Sequence, residues 1–316
     1  MHPAYSVIIF TTASGVGYGL LIWLALAVLF GLPRDPGFGF FALGTSVALI
    51  TLGLLTSTLH LGRPERAWRA LSQGRTSWLS REGVAAIVTY LPVAALGLGW
   101  VFGEFAPGQI VAGAALSVPC AVATVWCTGK IYATLPTIRA WNQGIVTPIY
   151  LALALASGSV LLTLLLAVFG YEVRWGAGAS ALLLALGCDL KVRYWSAIDR
   201  ADRTWTAESA TGLGHLGTVR PLDPPHTQPN FVMREMGYQV ARRHARKLRL
   251  LTVLLLFVAP LLAAIALLLL RMPNALNITL AALSVCSATV GVLVERWLFF
   301  AEAEHVVVIY YRGGVA

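Results

Sequence analysis

The chain has 316 residues, of which 58% are apolar and only 12% charged, and it carries a net charge of +9. A soluble domain holds about 25% charged residues, so this composition excludes a water-soluble enzyme and indicates a polytopic membrane protein. In such a protein an excess of Lys and Arg reflects loop asymmetry rather than nucleic-acid binding.

Apolar runs fall near residues 5–31, 37–60, 80–103, 109–134, 145–169, 175–197, 247–271 and 277–298. Each is close to the roughly 20 residues that carry a helix across hydrocarbon, and none alternates as a membrane strand does. The expected fold is therefore all-α, a bundle of about eight transmembrane helices. Residues 1–316 read as a single membrane domain, with 198–246 as a long polar loop within it. The first run is too long for a signal-peptide core and lacks a basic leader, so it reads as the first span.

The connections alternate between two faces. Face A bears the N-terminus and, with an even number of spans, the C-terminus. Of the 23 Lys and Arg, only Arg34, Arg174 and Arg271 fall on the other side, face B. The positive-inside rule then places face A and both termini in the cytoplasm. The loop after span two carries Arg63, Arg66, Arg69, Arg75 and Arg81, and Lys191 and Arg193 are assigned to the region after span six. The long loop holds Pro221, Pro224, Pro225 and Pro229. Its end, Phe231 to Arg249, mixes apolar and basic residues and reads as an interfacial helix on anionic headgroups, or as a surface for a partner subunit.

The four cysteines, Cys120, Cys127, Cys188 and Cys286, lie in spans and form no C-x-x-C pair, which argues against a zinc or iron–sulfur site in this protein. The middles of the spans are nearly free of charge; Glu295 and Arg296, toward the end of the last one, are an exception in kind. Ion-coupled transporters keep ionisable groups at mid-membrane depth, so a secondary transporter is the weaker reading.

Polar residues gather where span two ends, Leu59-His60-Leu61-Gly62-Arg63-Pro64-Glu65-Arg66-Ala67-Trp68, and where span three begins, Thr76-Ser77-Trp78-Leu79-Ser80-Arg81-Glu82-Gly83. Gly62 is expected to free the backbone for a turn, and Pro64 to stop the helix. Ser80 is expected to cap span three, with Glu82 in its first turn. A quinone headgroup at the membrane edge needs donors for two carbonyls and a group that exchanges protons near neutral pH. Imidazole suits this, with an unperturbed pKa of about 6.5. His60 and Glu82 are the candidates for proton exchange, with His60, Gly62, Arg66, Trp78, Arg81 and Glu82 around the quinone. The plainer alternative is an interfacial histidine with arginines that only fix topology. His2 and His305 share this face, whereas His215, His226 and His244 read as solvated. A b-type haem needs two facing helix histidines, and only His60 is a helix candidate.

The stretch His60, Leu61, Gly62, Pro64, Arg66, Ala67, followed by Ser77, Ser80 and Glu82, resembles the membrane anchor subunits of the dimethyl sulfoxide reductase family, as do the eight-span plan and the tail from Glu295 to Ala303. The resemblance implies a bacterial inner-membrane subunit of an oxidoreductase complex, with no substrate-oxidising site and no metal of its own. It implies a molybdopterin catalytic subunit and a ferredoxin-like iron–sulfur subunit with 4Fe–4S clusters as partners, and ubiquinone or menaquinone as the electron carrier. It places the quinone-site histidine on His60, with Gly62, Arg66 and Glu82 beside it. Dimethyl sulfoxide reductase exposes its catalytic subunits to the periplasm, on the face bearing the quinone loop. Here that face is the basic one. Similar anchors in sulfite dehydrogenases carry cytoplasmic catalytic subunits, so the charge pattern favours sulfite oxidation over sulfoxide reduction. A structural anchor with its quinone site elsewhere is the remaining alternative.

Overall fold

The computed structural model describes residues 3–32, 34–59, 61–200, 205–220, 222–223, 228 and 240–311. Six spans come first: α1 (Tyr5–Leu29), α2 (Pro36–Thr58), α3 (Trp78–Phe102), α4 (Pro107–Ala133), α5 (Val146–Val168) and α6 (Arg174–Arg200). The seventh, α7, joins Val240–Thr252, a π-helical stretch Val253–Val258 and Ala259–Leu269, and α8 is Asn274–Ala301. All eight are long and apolar enough to cross a membrane. The shortest has 23 residues, about 35 Å of helix against about 30 Å of hydrocarbon. The expected all-α, eight-span bundle is the fold observed.

α1 and α5 are the most buried spans and form its centre. Lipid gives apolar helices no reason to associate, so close approach of small residues must hold them. A Cβ on Gly19 would stand 1.8 Å from the Ala154 carbonyl oxygen, and one on Gly158 would stand 2.3 Å from the Gly19 carbonyl carbon. The two backbones therefore touch. Trp23 Nε1 donates to the Leu155 carbonyl across the same seam, at 2.9 Å. On the other side of α1, Ser46 Oγ of α2 donates to the Gly17 carbonyl at 2.9 Å. α3 and α4 pair as a hairpin against α1, α6 packs on α5 and α7, and α8 closes the bundle against α5 and α7.

In α7, Pro260 lacks the N–H that would continue the α ladder. The π-helical stretch just before it absorbs the mismatch, and Ser287 Oγ of α8 donates to the freed Leu255 carbonyl at 2.8 Å. Gly291 lets α8 lie directly on this stretch.

The loops sort onto two ends. At face B, Asp35 caps α2 through Phe38 N (2.6 Å), Trp100 Nε1 donates to the Asp35 carbonyl (3.1 Å), and Phe38 packs on Phe169 and Tyr171. Left-handed glycines, Gly31, Gly103 and Gly170, turn the chain after α1, α3 and α5. At face A, Ile138 bridges to His305, and Arg249 joins Asp199 to Glu302.

Several expectations are corrected here. α6 continues to Arg200, so Lys191 and Arg193 are helical rather than loop residues. Residues 231–239 lie outside the described residues, and from Val240 onward the basic segment is the start of α7 itself rather than a separate interfacial helix. Pro221, Pro224, Pro225 and Pro229 also lie outside, as do His2, His60 and His226.

The α1–α5 contact predicts a sharp difference between glycines. Gly158→Leu forces the central pair apart and should cost at least about 1–3 kcal/mol, read as a lower melting temperature in detergent. Gly44→Ala, which meets nothing within 4 Å, should leave melting unchanged or slightly raised.

Candidate functional site

The loop from α2 to α3 is folded, not slack. Pro64 opens a 3₁₀ segment, Pro64–Gln73, at a position where its missing N–H costs nothing. Arg63, Glu65, Arg66 and Arg69 of this loop are exposed, as is Trp68, with 65% of its surface accessible. Leu71 lies over Gly83 at the start of α3. Ser77, not Ser80, is the cap of α3, its Oγ accepting from Ser80 N at 3.4 Å. Ser80 is fully buried and its Oγ accepts from Gln73 N at 3.1 Å, which ties the end of the 3₁₀ segment to the helix. Arg81 completes the tie, donating from Nε to the Gly74 carbonyl (2.7 Å) and from Nη2 to the Arg75 carbonyl (2.8 Å). Its guanidinium lies 4.3 Å from the centre of the Trp78 ring, a cation–π contact. Gly62 lies in the turn without a positive φ.

Arg81 and Gly74 stand at one end of a groove of about 440 Å³ between α3 and α4. Its walls are apolar and small: Val84, Ala85 and Val88 from α3, and Pro119, Cys120 and Ala123 from α4. The size is that of a small-molecule pocket, roughly 300–1,000 Å³.

Glu82 points to the other side of α3. It begins the second turn of the helix rather than lying in the first, and it is buried in the bundle. Its Oε1 accepts a hydrogen bond from Thr128 Oγ1 of α4, which also donates to the Thr124 carbonyl.

A second charged cluster lies at the same end of the bundle. Lys191 of α6 and Glu295 and Arg296 of α8 are 1%, 0% and 2% exposed. Glu295 sits between the cations, pairing through Oε1 with Lys191 Nζ and through Oε2 with Arg296 Nε at 2.7 Å. The triad holds one more positive than negative charge, which aromatic faces offset. Tyr194 and Trp195 lie 4.4 Å and 5.3 Å from Lys191 Nζ, and Tyr150 lies 4.0 Å from the Arg296 guanidinium. Tyr132, Trp141, Phe299 and Phe300 complete an aromatic wall, and Trp141 Nε1 donates to the Phe299 carbonyl at 2.8 Å. Toward face A, Arg249 binds Asp199 (2.6 Å) and Glu302 (3.0 Å). Burial pushes the Glu302 carboxyl above its ordinary range, partly offset by Arg249. Burial likewise holds His305 below the ordinary imidazole value.

A family model, the DMSO reductase anchor subunit (DmsC), matches residues 1–301. The protein belongs to that family. It is 33% identical to the C subunit of the sulfite dehydrogenase of Allochromatium vinosum, over 99% of both sequences. It is 28% identical to the C polypeptide of the anaerobic dimethyl sulfoxide reductase of Escherichia coli K12, over 58% of this sequence and 65% of that one. It is thus a multi-pass membrane anchor of this family, a subunit type of oxidoreductase complexes.

In this anchor, the structure brings Trp78 and Arg81 together at the groove and buries Glu82 behind them. Gly62 and Arg66 stay on the exposed loop, Arg66 with Glu65 at 3.9 Å. His60 lies outside the described residues, just past the end of α2. His215 and His244 are exposed, while His305 is half-buried and its Nδ1 accepts from Val307 N. Among the described residues, no group of three His, Cys, Asp or Glu could hold a metal ion. Sequence reasoning missed Thr128 and the role of Lys191. Lys191, toward the face-A part of α6, closes a buried cluster with the Glu295–Arg296 pair. The only available signal was that pair; nothing in the spacing ties residue 191 to 295.

Glu295→Ala should leave two buried cations uncompensated and cost about 3–5 kcal/mol, read as a large drop in melting temperature. Replacing Lys191 by Met in the same variant should recover part of that loss.

Proposed function

We propose that this anchor exchanges electrons between an iron–sulfur partner and the membrane quinone pool, at the face-A end of α2, α3 and α4. The observation that carries the reading is the apolar groove capped by Arg81 and by the loop that follows His60, with the buried Glu82 carboxylate directly behind it. Bound quinone would supply a two-electron, two-proton couple and an apolar tail.

The groove walls, Val84, Val88, Pro119 and Ala123, suit such a tail. Arg81, held by two loop carbonyls and by Trp78, supplies a fixed positive charge at the groove mouth, where it would hold the oxygen of a bound headgroup. His60 is the proton donor or acceptor at the loop. Glu82 is the second proton carrier, reached from the bundle through the Thr128 hydroxyl. Gly62 and Arg66 shape and charge the loop face that a partner would cover. The exposed arginines and Trp68 suit a docking surface for a ferredoxin-like iron–sulfur subunit, which would in turn hold the molybdopterin catalytic subunit.

The charge asymmetry supports an orientation with face A, both termini and the partners in the cytoplasm of a bacterial inner membrane. That orientation, with similarity to the sulfite dehydrogenase anchor along its whole length, favours electrons derived from sulfite.

Two measurements test this. In the intact complex, His60→Ala and Glu82→Gln should each lower quinone-linked turnover on the order of 10²-fold while the catalytic subunit keeps its activity with an artificial dye. Undiminished quinone-linked turnover in both would reject the site. For topology, a green fluorescent protein fused after Ala316 should fluoresce and an alkaline phosphatase fusion there should be inactive; the reverse pattern would turn the anchor over and favour a periplasmic reductase.

A further inference from the structure

A small cavity of about 20 Å³ lies between α1, α4, α5 and α8, in the face-A half of the bundle. That is room for about one water molecule, which needs two to four polar partners to be stable there. The lining supplies them. Thr12, Tyr150 and Arg296 line the cavity; Thr12 Oγ1 is buried without a hydrogen-bond partner, and the buried Tyr150 hydroxyl and Arg296 guanidinium lie close to each other without a bond of good geometry. Thr128 lines it from the opposite side, and its hydroxyl already bonds Glu82. Arg296 leads on to Glu295 and Lys191. Buried polar groups of three residues around one small space inside a membrane bundle are costly unless something completes their hydrogen bonding.

We propose that this cavity is a water site through which protons pass between Glu82 and the buried Lys191–Glu295–Arg296 cluster. The inference rests on the role given to Glu82 above and adds the route by which that carboxylate is recharged.

The transfer balances at each atom. When the Glu82 carboxylate takes a proton, it takes it from the Thr128 hydroxyl, which takes one from the cavity water in the same movement. The water takes a proton from the Tyr150 hydroxyl, which is reprotonated from the cluster; there the Lys191 ammonium is the proton source and is recharged from water at face A, while Arg296 keeps its charge. Reversal discharges Glu82. Glu302 lies within electrostatic range of Lys191, and with Arg249 and the exposed Asp199 it links the cluster to face A. Protons would thus enter and leave on the same face that carries the loop.

The test uses the whole complex with quinone-linked and dye-linked assays in parallel. Thr128→Val and Tyr150→Phe each remove one hydroxyl and little volume. Both should slow quinone-linked turnover about tenfold and raise its solvent deuterium isotope effect, with dye-linked activity unchanged as proof of assembly. Infrared difference spectra between oxidised and reduced quinone should show a carboxylic C=O band that Glu82→Gln abolishes. They should also show a weakly bonded water band that Tyr150→Phe shifts. Wild-type rates and isotope effects in both hydroxyl variants, with Glu82→Gln still inactive, would overturn the water route and leave Glu82 in place. Full activity in Glu82→Gln would overturn the reading beneath it. A water band indifferent to both hydroxyl variants would mark a structural water and also overturn the route.

Discussion

A helix bundle in hydrocarbon has no solvent to satisfy its polar groups, so each must find a partner inside the protein. Most of this structure follows from that constraint. The buried hydroxyls of Ser14, Thr89, Ser117, Thr124 and Ser157 donate back to carbonyls four residues earlier in their own helices. Ser46 and Ser287 do the same across helices, at a glycine contact and at a π-helical stretch, two places where backbone groups of neighbouring helices come close. These bonds let polar residues tile the interior of α1 and α5 without charge, and they let small residues bring the backbones into contact.

The charged exceptions all lie at one end. Glu82, Lys191, Glu295 and Arg296 come from three different helices, yet each is within about 15 Å of its helix's face-A terminus by the 1.5 Å rise per residue. Placing them there keeps them close to water and to the basic loops, and the buried polar groups named above toward face B are uncharged hydroxyls. The aromatic wall does a second job at this end. It spreads the surplus positive charge of the triad over ring faces and excludes lipid from it, so the cluster is desolvated without being left unpaired.

The loop between α2 and α3 shows how an exposed segment is given a defined shape. Its order comes from the helix it precedes: Ser77 and Ser80 trade hydrogen bonds with the backbone at the helix entry, and Arg81 reaches back to two loop carbonyls. One guanidinium therefore sets both the loop geometry and the charge at the groove mouth. That coupling explains why residues adjacent in sequence, Arg81 and Glu82, take opposite tasks. The roughly 100° step between neighbouring helix positions sends one to the lipid-side groove and the other into the bundle.

Hydropathy and the distribution of Lys and Arg by themselves determined the eight spans and the division of loops between two faces, because both follow from the free energy of placing residues in hydrocarbon or at its edge, one residue at a time. The motif from His60 to Glu82 likewise marked the end of the molecule where function would be sought. Helix ends, caps and partners were decided otherwise. Ser77 rather than Ser80 caps α3 because the cap is chosen by where the preceding 3₁₀ segment delivers the backbone. Lys191 was read as a loop cation because its charge alone suggests water, and only the presence of Glu295, more than a hundred residues away, makes its burial stable. Thr128, Tyr150 and the cavity between them carry no local signal at all. Their meaning comes from the packing of four helices around one small space, and that arrangement exists only once the tertiary contacts have formed.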